Sequence, residues 1–487
     1  VTELLLALLL ISLALVLLND DWRSGLLLTV VIGFAQDPIR KLTPGQPGLY
    51  VGLALIAFVG SAYVLYQKRG GRLELPLMFA TNPGLLTWGT PLLLLLLFQA
   101  VNGLLRWGLP LRVLIGAGFY LAPLLGLWVG FQLGRDQRLL RRLLLLYLAG
   151  AGLFAFTALL DHRGVDLPLF EAVGGGQLIH FRYGFYTTGA IGLWRSTDIA
   201  AMHLTIAGCL AVIFAFSGNT GTPRVRWLTL AASLAMISLF TGRRKAIVQF
   251  IVFVGLFAVL LNRYGGSNNR RQLIGGLVVA AGLASVVFVL DPSEFLGDDI
   301  NEYVDRASSA PGDLWERFNV LGLRAFQRGL EISEGFGLGL GTLAQTGAAG
   351  VEAVQGQGFV YVSESGIGKV VAELGLAGLI VLLAILWGLV QAFSRILPLM
   401  RLLPPQTAAF EIGLLAFALS NLPFFSSAAG VYGDPFVLII CGISLGSVLA
   451  VPSLVQRFQV LQTQVQQAHQ AAILPSPARE AGFSGGR

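Results

Sequence analysis

The stretch Glu364-Ser-Gly-Ile-Gly-Lys-Val-Val-Ala-Glu-Leu-Gly375 ends a long polar insertion and runs straight into an apolar segment, 367–393, long enough to cross a bilayer. The insertion reaches back to Asp291, where another apolar segment ends. It carries three closely spaced arginines, Arg306, Arg317 and Arg324, and then the glycine run Gly335-Phe-Gly-Leu-Gly-Leu-Gly341. The rest of the chain is mostly apolar. Chemistry is therefore expected in this insertion.

Composition sets the class. Hydrophobic residues make up 55% of the chain and charged residues 12%, against about 25% charge in a soluble globular protein; the mean hydropathy is +0.74. The apolar runs have helical length and are not the alternating segments of roughly 10 residues found in an outer-membrane barrel. The reading is an all-α, polytopic transmembrane helix bundle. Cys209 and Cys441 both fall inside apolar runs, so neither a disulfide framework nor a cysteine-based metal site is indicated. The first run, Leu4 to Leu18, lacks a basic n-region, Glu3 being the only charge before it, and no small-residue cleavage site follows, so it is read as a retained helix.

Working outward, apolar segments fall near 4–18, 24–36, 49–66, 84–104, 111–133, 143–160, 198–216, 227–241, 245–261, 273–290, 367–393, 407–424 and 433–451. This predicts 12–13 spans, the second being short enough to be interfacial or re-entrant. The domains follow: a bundle over 1–290, a large extracytoplasmic loop with amphipathic helices over 291–367, further spans over 368–452, and a cytoplasmic tail over 453–487. In that tail Gln456 to Gln470 reads as a Gln-rich amphipathic helix, and Leu474 to Arg487 as disordered. No solenoid-type repeat and no matched pair of broken helices, a transporter signal, is found.

Orientation comes from the short basic loops. Arg135 to Arg142, Arg224 with Arg226, Arg263 to Arg271, and Arg395 with Arg401 all fall on one side, which is assigned to the cytoplasm. The loops 161–197, 242–244, 291–366 and 425–432 then lie outside. The net charge is +7, and only four of the 33 basic residues are Lys; the rigid guanidinium fork suits phosphate.

Four constellations stand out on the outer side. Gly242-Arg243-Arg244-Lys245 places three cations in a tight external turn, either as head-group anchors or as a clamp for the phosphates of a lipid-linked substrate. Gly192-Leu-Trp-Arg-Ser-Thr-Asp198 enters a helix carrying His203, with Thr197 or Asp198 as a candidate cap and Arg195 just above the membrane. Trp315 to Glu334 has helical spacing, with Phe318, Leu321, Ala325 and Ile332 in one stripe and Arg317, Arg324 and Arg328 on the neighbouring face. The glycines that follow, Gly337 and Gly339 among them, allow close backbone approach. Finally, Glu364 sits at a helix mouth as a candidate general base or an N-terminal charge. Glu373 lies within that helix and should face the interior and pair with a cation.

These motifs together resemble the O-antigen ligase/polymerase superfamily of membrane glycosyltransferases, over about Arg135 to Val451. Thr241-Gly-Arg-Arg-Lys245 resembles its outer arginine turn, Gly335 to Gly341 its glycine run, and Glu373-Leu-Gly-Leu-Ala-Gly378 its closing motif. Gly192 to His203 resembles a motif of one branch, and Arg163 with Gly174 and Arg324 with Gly335 match the Arg-x10-Gly spacing described for polymerases. Where ligases carry a proposed catalytic His, 11 residues before the closing-motif glycine, this chain has Glu364.

The resemblance implies a GT-C-like fold and metal-independent transfer of a glycan from undecaprenyl diphosphate, without a cofactor. Arg195, Arg243, Arg244 and Lys245 would hold the diphosphate. Glu364, Arg317 and Arg324 would be catalytic, with His203, Glu373, Gly337 and Gly339 in support. The expected function is polymerisation of lipid-linked repeat units in the bacterial inner membrane; the alternatives are ligase-type transfer to another acceptor and a lipid-linked sugar flippase. Expected partners are the lipid-linked glycan, membrane lipid and a chain-length regulator, with no nucleic acid.

Overall fold

The computed structural model describes residues 2–72, 83–108, 110–173, 178–180, 186–218, 223–265, 318–343, 365–427 and 432–473. These residues are almost entirely helical. In chain order the helices are α1 (Thr2–Leu18), α2 (Trp22–Leu42), α3 (Leu53–Lys68), α4 (Pro83–Trp107), α5 (Pro110–Gly134), α6 (Gln137–His162), α7 (Thr197–Ser217), α8 (Arg224–Phe240) and α9 (Arg244–Tyr264). A π-turn, Phe318–Arg324, leads into α10 (Ala325–Ser333), and α11 (Gly366–Leu399), α12 (Pro405–Ser427), α13 (Pro435–Leu449) and α14 (Val451–Ile473) complete the bundle. Between α6 and α7 a short antiparallel hairpin pairs β1 (Leu178–His180) with β2 (Tyr186–Thr188), Ile179 opposite Thr187.

Each apolar segment read from the sequence falls on one of these helices, except 433–451, which straddles α13 and α14, and 273–290, which is outside the described residues. Fewer of them are built as independent spans than expected. Among the described residues eight helices are long and apolar enough to cross a membrane, and a ninth results if α13 and α14, bent by 45° at their junction, count as one. Segment 273–290 is not among the described residues and 433–451 forms the bent pair; the other three differences have local causes. α1 and α8 have 17 residues each, and α2 carries Arg23, Asp37, Arg40 and Lys41 along its length. Of the proposed 291–367 loop only 318–343 and 365–367 are described.

The helix ends obey local chemistry. The Asp136 side chain caps α6 by accepting from Leu139 N, Asp434 caps α13 by accepting from Phe436 N, and Ser365 caps α11 by accepting from Gly368 N. α7 stops at Gly218, which takes the left-handed conformation at φ 62°. Inside α11 the helix breaks at Gly375, with φ 73° and ψ −171°.

α7 forms the axis of the bundle, with every residue of its apolar window buried. α6, α8, α9 and α12 pack around it. On one flank α5 and α13 meet backbone to backbone, with Gly126 beside Gly442, Gly134 beside Ala450, and Gly446 against the Leu127 carbonyl. Lipid tails are as apolar as leucine, so helices in a bilayer gain little from apolar burial and associate through close packing, which small residues permit. Large apolar side chains point outward instead, among them Leu97, Phe98, Leu114, Ile251 and Trp387.

The basic ends gather at one end of the bundle: Arg23 pairs with Asp136 at 3.4 Å, Arg401 donates to the Arg263 carbonyl, and Arg457 donates to the Arg135 carbonyl. The segments around Asp37, Asp161, Arg195, Arg243 and Asp434 meet at the opposite end.

Candidate functional site

The loop before α7 folds back into that opposite end. The Asp161 carboxylate accepts from Ile191 N at 2.7 Å and Gly192 N at 2.9 Å, and Lys41 donates to the carbonyls of Leu169 and Gly192. Gly192 is at φ 54° with Ala158 and Thr157 of α6 pressed against its Cα, so a side chain has no room there. This turn delivers Arg195 to two carboxylates from distant parts of the chain, Asp37 of α2 at 2.9 Å and Asp434 of the α13 cap at 2.8 Å. Asp37 also accepts from the Arg195 backbone N–H at 3.2 Å.

Burial alone would pull the Arg195 pKa down, but the flanking Asp37 and Asp434 more than reverse this and hold it above its ordinary value. Burial would raise Asp434, yet Arg195 and neighbouring His203 hold its carboxyl below the ordinary range.

His203 continues the cluster inward. Its Nδ1 lies 2.6 Å from the Tyr147 hydroxyl and its Nε2 3.9 Å from Asp434. Trp194 stacks parallel to the imidazole with centroids 6.2 Å apart, and Phe34 and Phe436 lean against it. Sequence reasoning grouped Arg195 with His203. It missed Asp37, Asp434 and Tyr147, although a carboxylate inside an apolar helix, as at Asp37, is a signal of a buried partner.

A second centre shares these walls. Arg243, in the turn between α8 and α9, donates from Nε to Thr197 Oγ1 at 2.7 Å and pairs with Asp198 at 3.2 Å. Thr197 and Asp198 are thus occupied by Arg243, and Ser196, not either of them, holds the N-cap position of α7, without a side-chain cap bond. This corrects the capping expectation: in the first turn of α7 the nearby cation is the stronger partner for both side chains.

Arg243 and Lys245 line a small open cleft together with Asp198, Gln249, Tyr432 and an apolar set containing Met202, Ala246 and Phe424. Its floor is ordered. Gln249 donates to Asn421 Oδ1 at 2.9 Å, and the Tyr432 hydroxyl donates to Asn421 at 3.0 Å. Tyr432 and Asp434 are two residues apart, so one turn serves both centres. Arg244 begins α9 beside them.

The glycine run lies elsewhere, threaded between α4, α5 and α11. Leu338 N donates to the Ala372 carbonyl, Gly339 N to Glu373, Leu340 N to Gln99, and Leu376 N to Gly335. The run thus pairs with the backbone freed by the break at Gly375, satisfying groups that would otherwise be orphaned. Gln99, Asn102 and Trp107 donate to the carbonyls of Phe336, Gly337 and Leu338. Gly337 at φ 96° has Gln99 and the Glu373 carbonyl where a Cβ would stand, and Gly339, also at φ 96°, abuts Gly103. What approaches these glycines closely is protein.

Glu373 is fully buried and pairs with Lys369 at 3.4 Å. Its other oxygen accepts from the Tyr120 hydroxyl at 2.9 Å. Arg324 ends the π-turn and is exposed, as is Arg328, which pairs with Glu331 at 2.8 Å. Arg317 and Glu364 lie outside the described residues. The structure therefore brings Arg195, His203, Arg243 and Lys245 together at one end of the bundle. It sets Gly337, Gly339 and Glu373 in a separate centre beyond the last turn of α12, where the Phe425 carbonyl meets Gly366.

Fold and site together define a helical, multi-pass membrane protein with the Arg195 and Arg243 centres at one end of the bundle. Set against models of known protein families the chain matches none, and set against curated proteins it likewise finds no match.

Proposed function

We propose that this chain is a membrane glycosyltransferase that joins undecaprenyl-diphosphate-linked oligosaccharide repeats into a surface polysaccharide, working at the outer face of the bacterial inner membrane. The observation that carries the reading is the cleft, where Arg243 and Lys245 stand beside Met202, Ala246 and Phe424. Cations with an apolar wall suit an anion attached to a lipid tail. Fixed cationic donors also stabilise a leaving diphosphate as its charge develops.

In the proposed reaction an acceptor sugar hydroxyl bonds to the anomeric carbon of the donor. The bond from that carbon to the diphosphate oxygen breaks, and the hydroxyl proton passes to a carboxylate. Glu364 is assigned that proton, and Arg317 and Arg324 the sugars. Arg243, Arg244 and Lys245 are assigned the diphosphate. Arg195 already faces two carboxylates, and its assigned part is to hold the Tyr432–Asp434 turn that walls the cleft. A chain-length regulator is the expected protein partner.

The test is a purified reaction in proteoliposomes with an undecaprenyl-diphosphate-linked repeat unit. Wild type is expected to build a ladder of products. Arg243→Ala should lower the rate by about 10²–10³-fold, the cost of removing one donor to a developing anion. Arg457→Ala, at the other end of the bundle, should leave it unchanged. Transfer of a finished glycan to a lipid acceptor without a ladder would indicate a ligase. Movement of the unit between leaflets with no new glycosidic bond would end the enzymatic reading.

A further inference from the structure

Two arginine–aspartate arrangements stand at the same end of the bundle, and they are built differently. Arg195 meets Asp37 at 2.9 Å and Asp434 at 2.8 Å, and those carboxylates are 4% and 0% exposed. Displacing either would strand a buried charge. Arg243 meets Asp198 at 3.2 Å, with the guanidinium side chain 26% and the carboxylate side chain 37% exposed. A partly exposed pair of this kind holds weakly. The Asp198 carboxylate, once released, still faces water.

Arg243 does not depend on that pair for its position. Its Nε donates to Thr197 Oγ1 at 2.7 Å, and Thr197 is fully buried. Removing the Asp198 charge therefore leaves the guanidinium anchored. Three of the described residues lining the cleft are charged, namely Arg243, Lys245 and Asp198. The single carboxylate of that lining thus sits on a cation assigned to the diphosphate. A phosphate oxygen bonds a guanidinium at about 2.7–2.9 Å, closer than this carboxylate stands.

We propose that Asp198 and the lipid diphosphate exchange places on Arg243, and that the return of Asp198 drives release of the spent lipid diphosphate. The proposal rests on the reading above, in which that anion arrives with the donor and is left behind after transfer. Cations that stabilise a departing diphosphate also retain it, and an internal carboxylate offsets the retention. No covalent bond is made or broken in the exchange; one ion pair replaces another. Asp198 weakens donor and product binding alike, and turnover gains because release of a tightly held product limits many enzymes.

The experiment uses the full-length protein in phosphatidylcholine nanodiscs. Association and dissociation of undecaprenyl diphosphate are followed for wild type, Asp198→Asn, Asp198→Glu, Arg243→Ala and the double variant Asp198→Asn/Arg243→Ala. In parallel, kcat and KM are measured on the lipid-linked repeat. Asp198→Asn is expected to bind the diphosphate about 5-fold tighter, the worth of a partly exposed pair at the top of its range, and mainly through slower dissociation. It should lower kcat and KM together, whereas damage to the first turn of α7 would weaken binding. Asp198→Glu keeps the charge and should dissociate at about the wild-type rate. Asp198→Ser repeats the measurement with a second uncharged side chain, should the Asn variant fail to fold.

The double variant is decisive. Exchange on Arg243 needs both side chains, so the gain from Asp198→Asn should vanish once Arg243 is Ala. Plain repulsion between Asp198 and the anion would persist in that background, and a persisting gain would overturn the proposal. Unchanged dissociation in Asp198→Asn would overturn it too, while a ladder of products from the same protein would keep the glycosyltransferase reading. Slower dissociation that depends on Arg243, in a protein that transfers no sugar, would leave the exchange standing and remove that reading.

Discussion

Asp434 illustrates how much one side chain can hold together. Its two oxygens cap α13, bind Arg195 and face His203. Removing one partner of a buried ion pair leaves an uncompensated charge and costs about 3–5 kcal/mol. Asp434→Asn should lower thermal stability in detergent by about that amount, measured by a thiol-independent unfolding probe, and Asp37→Asn by less, because Asp434 still pairs with Arg195. The sign of the pH effect follows from the depressed Asp434 value. Its stabilisation is complete above the ordinary carboxylate pKa of 3.8 and is lost as pH falls through the lower folded value. The wild type should therefore keep this contribution at pH 5 and lose it only on stronger acidification, while Asp434→Asn lacks that part of the acid limb. A difference that opened between pH 7 and 5 would contradict it.

At the scale of elements, the α5–α13 seam and the α11 break do different work with the same residue type. Along the seam, glycines bring two continuous helices together. Gly446→Leu would drive a side chain into the Leu127 carbonyl, and overpacking of this kind costs about 1–3 kcal/mol; a clear fall in Tm is expected, with Gly152→Leu, which has open space, as the neutral control. At the break, Gly375 at φ 73° has the Gly335 and Phe336 backbone where a Cβ would sit. The seam could be suspected from glycines four apart in apolar runs. The pairing of the glycine run with the α11 break could not, because the two segments are brought together only by packing against α4 and α5.

For the molecule as a whole, the prediction concerns sidedness. The bundle sorts its loops into two ends, with Arg135, Arg263 and Arg401 at one and Arg195 and Arg243 at the other. The positive-inside rule predicts that the first end is cytoplasmic. In intact cells a membrane-impermeant thiol reagent should label Val165→Cys and spare Arg138→Cys, both positions being exposed. The reverse pattern would put Arg243 in the cytosol and remove the outer-face site.

The sequence by itself determined the class and the helices, because a bilayer demands long apolar segments with internally satisfied backbones, and that demand is written locally along the chain. It also singled out Arg195, His203, Arg243, Lys245 and Glu373 as misplaced charges or polar groups in an apolar setting. Apart from Lys369, one turn before Glu373 on α11, their partners were decided by tertiary structure. Asp37 and Asp434 reach Arg195 from far along the chain, and Leu343 meets Lys369 and Glu373 only once the glycine run is laid along α11. A buried charge announces that it needs a partner; which partner it finds depends on how the helices pack.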